Sequence, residues 1–287
     1  MEKNALSVNG LTKKYHDFML DEVSFHVSHG TIVGLIGENG AGKSTTMKAI
    51  LGLIKNDAGS IELLGQQAPN IDFTTRNKIG VVFDGNNFPD TLSPRKLGEL
   101  SQKVYVAWDE KQYAALLERW SLPLNKKIRN LSKGMKVKLS IAVALSHHSE
   151  LLILDEATSG LDPVARDDIL DMLLEFVQNE HHAVSMSSHM TNDLEKIADT
   201  IVFLHNGKVL FSKPKDELRY QYGIMKCGTQ QFEALDQNDR IAYRKQDYEW
   251  QVLVADRHAA QRKYPNAVID PATIDDIMLL FLKGETK

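Results

Sequence analysis

Apolar and polar positions alternate loosely over residues 6–11 and 18–27, and a polar turn at His16-Asp17 separates the two stretches. That pattern predicts two antiparallel strands. The run Thr31-Ile32-Val33-Gly34-Leu35-Ile36 is continuously apolar and short, as a buried strand is, and residues 43–51 read as a helix. A hairpin is expected around 59–65, and 79–83 is a further apolar strand. The texture then changes at about residue 88. Leu, Val, Tyr and Trp recur at helical spacing over 96–106 and 110–120, and Met135, Leu139, Ala142 and Val143 share one side of a helix over 132–145. These three helices predict a helical insertion at about 88–147.

After it, strands are predicted at 151–154, 183–187, 201–204 and 209–211, with a helix over 165–178. Asn206-Gly207 between the last two strands is a strong hairpin signal. Strands alternating with helices argue for an α/β fold whose mainly parallel sheet carries helices on both faces. Lys213-Pro214-Lys215 marks a boundary, so a main domain over 1–215 and a small α+β extension over 216–287 are expected. The extension reads as a helix over 216–222, then strand, helix, strand, helix and a last helix.

The chemistry begins at Gly37-Glu38-Asn39-Gly40-Ala41-Gly42-Lys43-Ser44-Thr45, which fits G-x-x-x-x-G-K-[ST] between a predicted strand and a predicted helix. Glycines let backbone N–H groups curl around phosphate oxygens, and the helix N-terminus adds partial positive charge there. Lys43 is expected to reach the β- and γ-phosphates of a nucleoside triphosphate, and Ser44 to offer its hydroxyl to Mg²⁺. Leu151-Leu152-Ile153-Leu154-Asp155-Glu156 places two carboxylates where a buried strand emerges, the edge at which parallel sheets bind ligands. Asp155 suits the acidic residue that holds Mg²⁺. Glu156 suits the one that orients an attacking water or accepts its proton.

Leu131-Ser132-Lys133-Gly134-Met135 resembles the LSGGQ signature of ATP-binding-cassette ATPases, and the order of phosphate loop, signature and acidic strand agrees with that family. Ser132 is also a good N-cap for the helix that follows. The resemblance covers most of the first 215 residues. Ser159-Gly160-Leu161-Asp162 resembles the D-loop, and His189 in Ser187-Ser188-His189-Met190 resembles the switch histidine that senses the γ-phosphate. Tyr15 resembles the aromatic residue on which adenine stacks; the alternative is a hydrophobic anchor between strands. The resemblance implies a P-loop NTPase core. It also implies ATP sandwiched between one subunit's phosphate loop and the Ser132 and Gly134 segment of another, identical or different.

Three positions depart from the family pattern. Asp84 stands where a glutamine is usual: a carboxylate approaches Mg²⁺ or its water, but donates no hydrogen bond as an amide does. Lys133 replaces a signature glycine, and Met135 a signature glutamine. Lys126, Lys127, Arg129, Lys133, Lys136 and Lys138 form a basic cluster, read either as a solvated helix face or as an attraction for the partner's triphosphate. His147-His148 and His181-His182 lie in polar, loop-like sequence and make a poor chelate.

Composition narrows the class. At 43% hydrophobic and 25% charged the chain is globular, and its net charge of −4 gives no support for nucleic-acid binding. Cys227 is the single cysteine, so no internal disulfide exists, which fits the cytosol. Met1-Glu2-Lys3-Asn4 leads into mixed sequence with no apolar signal core, and no run is long enough to span a bilayer. The stretch 271–281 resembles the ending of ATPases that serve ABC-2-type exporters for drugs, antibiotics and peptides. The expectation is therefore an ATPase subunit at the cytoplasmic face of the membrane. It would power a separately encoded permease that docks on the helical insertion and the loop at 84–94. The alternative is a soluble cassette ATPase acting on nucleic acid or ribosomes. A kinase using the same loop leaves Leu131–Met135 and His189 without a role.

Overall fold

A computed structural model describes residues 4–85 and 88–286. The chain forms two compact units, Met1–Ser212 and Lys213–Lys287.

The first unit opens with β1 (Asn4–Lys14) and β2 (Met19–Ser28), which pair antiparallel. β3 (Ile32–Ile36) is buried throughout and runs into the phosphate loop, which α1 (Lys43–Ile50) follows. β4 (Ala58–Leu63) and β5 (Gln66–Gln67) complete a four-stranded sheet in the order β2-β1-β4-β5. A short α2 (Phe73–Arg76) precedes β6 (Ile79–Phe83). The helical insertion is α3 (Pro94–Val104), α4 (Glu110–Arg119) and α5 (Lys133–Ser146), started by the side-chain caps Ser93, Asp109 and Ser132. Tyr113 pins it: buried on α4, it donates its hydroxyl to the Pro94 carbonyl at 2.8 Å.

β7 (Leu151–Asp155), α6 (Pro163–Phe176), β8 (Ala183–Ser188), α7 (Thr191–Ile197), β9 (Thr200–His205) and β10 (Lys208–Pro214) follow. The main sheet runs β10-β9-β3-β8-β7-β6, and β9-β3-β8-β7-β6 are all parallel. This is the mainly parallel α/β sheet expected. β3 sits between β8 and β9, and β7 between β8 and β6. That order brings the loops after β3, β7, β8 and β6 to one carboxyl edge.

In the second unit α8 (Lys215–Tyr220) leads to β11 (Gly223–Cys227), α9 (Thr229–Ala234), β12 (Ala242–Gln246), β13 (Glu249–Val254), α10 (Arg257–Lys263), β14 (Val268–Pro271), α11 (Ile274–Lys283) and β15 (Glu285–Thr286). The sheet order is β14-β11-β13-β12-β15. Sequence reading misses β12 and β14. β12 is Ala-Tyr-Arg-Lys-Gln, with only Ala242 buried, and β14 is four residues long. Neither carries the alternation that marks a strand with one apolar face. Met225, Cys227, Val252 and Val254 form the core of this unit, with Phe232 and Trp250 stacked at 3.9 Å. Burial pushes the Cys227 thiol pKa up. Among the described residues no helix is long and apolar enough to cross a membrane.

One histidine departs from its loop-like reading. His147 is buried at the end of α5, stacks on Tyr105 at 4.1 Å and donates Nδ1–H to the Asn77 carbonyl at 2.8 Å. Ser149 lies beside it, and His148 adds a like charge. Burial, the largest cause, holds its pKa below the ordinary histidine value. The unfolded chain takes up this proton near pH 6.5, the folded chain only at lower pH. Acidification therefore favours unfolding: the contribution is whole above about pH 6.5 and is lost as pH falls through the folded pKa. His147→Phe keeps the stack and removes the titration. In thermal melts from pH 8 to pH 5, the variant is expected to start less stable and to close the gap below pH 6.5.

Candidate functional site

The phosphate loop is shaped by contacts only glycine permits at two points. A Cβ on Gly37 would lie 2.2 Å from the Leu204 carbonyl oxygen, because the loop starts against the end of β9. Gly42 has φ 111° and lies against Leu20 and Phe18. Gly37, Ala41, Gly42 and Lys43 are buried, Ser44 and Thr45 are half-buried, and Glu38, Asn39 and Gly40 form the exposed rim. No side chain caps the start of α1.

Lys43 is 4% exposed, so its ammonium must be matched inside the protein. It donates to the carbonyls of Gly37 at 2.8 Å and Glu38 at 3.2 Å, and it pairs with Glu156 Oε1 at 3.1 Å. Glu156 also pairs through Oε2 with Nδ1 of His189, which follows β8. Ser44 donates its hydroxyl to Asp155 Oδ1 at 3.1 Å.

The backbone explains how neighbouring carboxylates serve the same loop. On a continuing strand, Asp155 and Glu156 would point to opposite faces. Glu156 instead has φ 54°, the left-handed region that a non-glycine residue rarely adopts. The chain turns there, so Asp155 meets Ser44 and Glu156 meets Lys43. Ser187, on β8, holds the turn: its hydroxyl donates to Asp155 Oδ1 at 2.6 Å and accepts the Glu156 N–H at 3.0 Å. Sequence reading passes over Ser187. The signal available was a strand with three serines, Ser185, Ser187 and Ser188, among apolar residues; all three are buried and so need partners.

The remaining residues lie around this centre. Tyr15 is exposed, 6.5 Å from the Phe18 ring that lies against Gly42, and the Lys13 ammonium stands over its ring at 5.7 Å. Ser132 caps α5 by accepting the Met135 N–H, and is exposed. Gly134 is buried: a Cβ there would lie 3.0 Å from Ala165 of α6. Gly134 thus packs at the start of α6, with Asp162 Oδ2 3.9 Å from the same Cβ position. Asp84 follows Phe83, which pairs with Asp155 across β6 and β7, but its carboxylate is engaged by Lys133 at 2.7 Å. Of the basic cluster, Lys138 is tied to Asp168 at 2.6 Å. In the loop at 84–94, Asn86 and Asn87 lie outside the described residues.

As a set, Lys43 and the start of α1 offer cation and amides to phosphate, Ser44 and Asp155 offer hard oxygen donors, and Glu156 with His189 offers a base and a polar hand beside it. Oxygen donors of this kind fit Mg²⁺.

Comparison with known proteins agrees with the geometry. A family profile for ABC transporters matches residues 20–159. The chain is 30% identical over 247 residues to the bacitracin transport ATP-binding protein BcrA of Bacillus licheniformis, covering 85% of this chain and 79% of that protein. It is 36% identical to the ABC transporter ATP-binding protein YxlF of Bacillus subtilis (75% and 73% covered). It is 31% identical to the Nod factor export ATP-binding protein I of Ralstonia nicotianae (76% and 70% covered). A solved ATP-binding subunit of an ABC transporter superposes with a TM-score of 0.68 at 31% identity, over 75% of this chain and 92% of that one.

Ser187→Ala would remove the shorter of the two hydroxyl donors to Asp155 Oδ1, leaving Ser44, and the side-chain acceptor of the Glu156 N–H, leaving the Ser187 carbonyl. Losing a hydrogen bond to a charged group is expected to cost about 1.5–3 kcal/mol, read as a lower urea midpoint with unchanged slope.

Proposed function

The chain belongs to the ABC transporter family as an ATP-hydrolysing subunit, and from that premise we propose that two copies of it close on ATP and drive export through a separately encoded membrane permease. The observation that carries the reading is the division of the site. Lys43, Ser44, Asp155, Glu156 and His189 converge on the phosphate loop, while Ser132 caps α5 and Gly134 packs against Ala165 of α6. One chain therefore holds both halves of a composite site, and two copies complete two of them.

The residues act as follows. Tyr15 stacks on adenine, and the 37–45 loop amides and Lys43 bind the phosphates. Ser44 and Asp155 would hold Mg²⁺, which when bound neutralises charge on the phosphate oxygens. Once the triphosphate draws Lys43 away, Glu156 is free to accept the proton of the attacking water. The water oxygen then bonds to the γ-phosphorus as the bond from that phosphorus to the bridging oxygen breaks, leaving ADP and phosphate. His189, on the other oxygen of Glu156, orients that carboxylate. Ser132, at a helix start rich in free N–H groups, faces the γ-phosphate of the other copy.

Transport relatives such as the bacitracin and Nod factor proteins favour this reading over a nucleic-acid role. The subunit then sits at the cytoplasmic face of the membrane through its permease. The helical insertion carries a concavity of about 740 Å³ lined by Tyr113, Leu117 and Leu122, with Glu99, Glu110 and Glu118 outnumbering Arg95 among its charged residues. That lining suits a basic, amphipathic permease segment.

Glu156→Gln is expected to bind ATP and stay paired, because hydrolysis cannot release it. Light scattering should show a dimer with ATP and a monomer without; a variant that remains monomeric at saturating ATP contradicts the proposal. Lys43→Ala should weaken ATP binding at least tenfold in calorimetry, as expected for a lost phosphate-paired cation.

A further inference from the structure

Two of the positions that depart from the family pattern, Asp84 and Lys133, meet in space. Lys133 Nζ lies 2.7 Å from Asp84 Oδ1, linking the first residue of α5 to the residue after β6. A Cβ on Gly160 would also lie 3.5 Å from Lys133 Nζ, so the ammonium stands between the 84 loop and the 159–162 turn. A lysine at the first position of a helix is electrostatically misplaced, because the dipole there is already positive. It needs an anion, and Asp84 supplies one within the chain. Both side chains are about half exposed, 41% for Lys133 and 50% for Asp84. An ion pair in such surroundings is weak and exchangeable. An anion carrying several charges, presented at the start of α5, outcompetes a single carboxylate.

We propose that Lys133 is an additional triphosphate-binding residue, directed at the nucleotide held by the second copy, and that Asp84 is the internal counterion it leaves to get there. The proposal rests on the two-copy reading above. It assigns Asp84 a role different from metal binding: the carboxylate sets how readily Lys133 is released, and hence the ATP concentration at which two copies pair. A triphosphate competes better than a diphosphate because it brings the γ-phosphate charge to the helix start. Replacing glycine with lysine thus adds affinity for the paired state, and replacing glutamine with aspartate limits it.

The test uses the full chain carrying Glu156→Gln as parent, with ATP titrated against pairing by light scattering. Asp84→Asn, nearly isosteric and uncharged, is expected to lower the half-pairing ATP concentration about fivefold. Lys133→Gly should raise it about tenfold. The double variant should match Lys133→Gly alone, since Asp84 acts only through Lys133. Calorimetry of ADP binding to the unpaired chains should give one value for all four proteins, which also verifies their folding. If Asp84→Asn raises the half-pairing concentration whether or not Lys133 is present, Asp84 acts on the metal or nucleotide directly and the proposal is overturned. It is overturned too if Lys133→Gly pairs like the parent, or weakens ADP binding equally. A parent that never pairs overturns the two-copy reading itself; a parent that pairs without dependence on Lys133 overturns only this inference.

Discussion

The ion pair between Lys43 and Glu156 ties the phosphate loop to the acidic end of β7, and the rest of the site is arranged around it. Both groups are taken largely out of water, at 4% and 15% exposure, so each would be costly without the other. The pair requires the left-handed turn at Glu156, and the turn is held by Ser187 from the neighbouring strand. Ser187 in turn fixes Asp155, which receives the Ser44 hydroxyl. One charge pair therefore brings the ends of β3, β7 and β8 into register. On the mechanism proposed above, a triphosphate that claims Lys43 would change the partner of Glu156 at the same moment and so couple binding to the readiness of the base.

Strong local signals made part of this legible in the sequence. The phosphate loop stands out because its glycines answer to backbone geometry: Gly37 passes a carbonyl and Gly42 takes a positive φ. β7 is legible because four aliphatic residues end in two carboxylates. The start of α5 is legible because Ser132 is a cap whatever else it does. Such features depend on residues adjacent in the chain.

Other parts depend on distant partners, and there the sequence is silent. Ser187 has meaning only once β8 lies beside β7. His147 reads as loop until Tyr105 covers it and Asn77 receives its N–H. Asp84 and Lys133 look like two independent departures until the fold places them 2.7 Å apart. β12 and β14 lack a pattern of their own and become strands through pairing with β13 and β11. In each case tertiary contact decides a feature that local propensity leaves open.

In the proposed cycle, ATP brings the phosphate loop of one copy against the signature segment of another. Asn39 on the loop rim and Ser132 at the start of α5 are both exposed, and Cys227, the native cysteine, is buried. Cysteines at 39 and 132 in one Glu156→Gln chain, with Cys227→Ser, report the contact directly, since a disulfide forms only when the Cα atoms approach within about 7 Å. A cross-linked dimer is expected on non-reducing gels with ATP and none without nucleotide. An absence of cross-linking at saturating ATP, or a yield indifferent to ATP, would contradict that cycle.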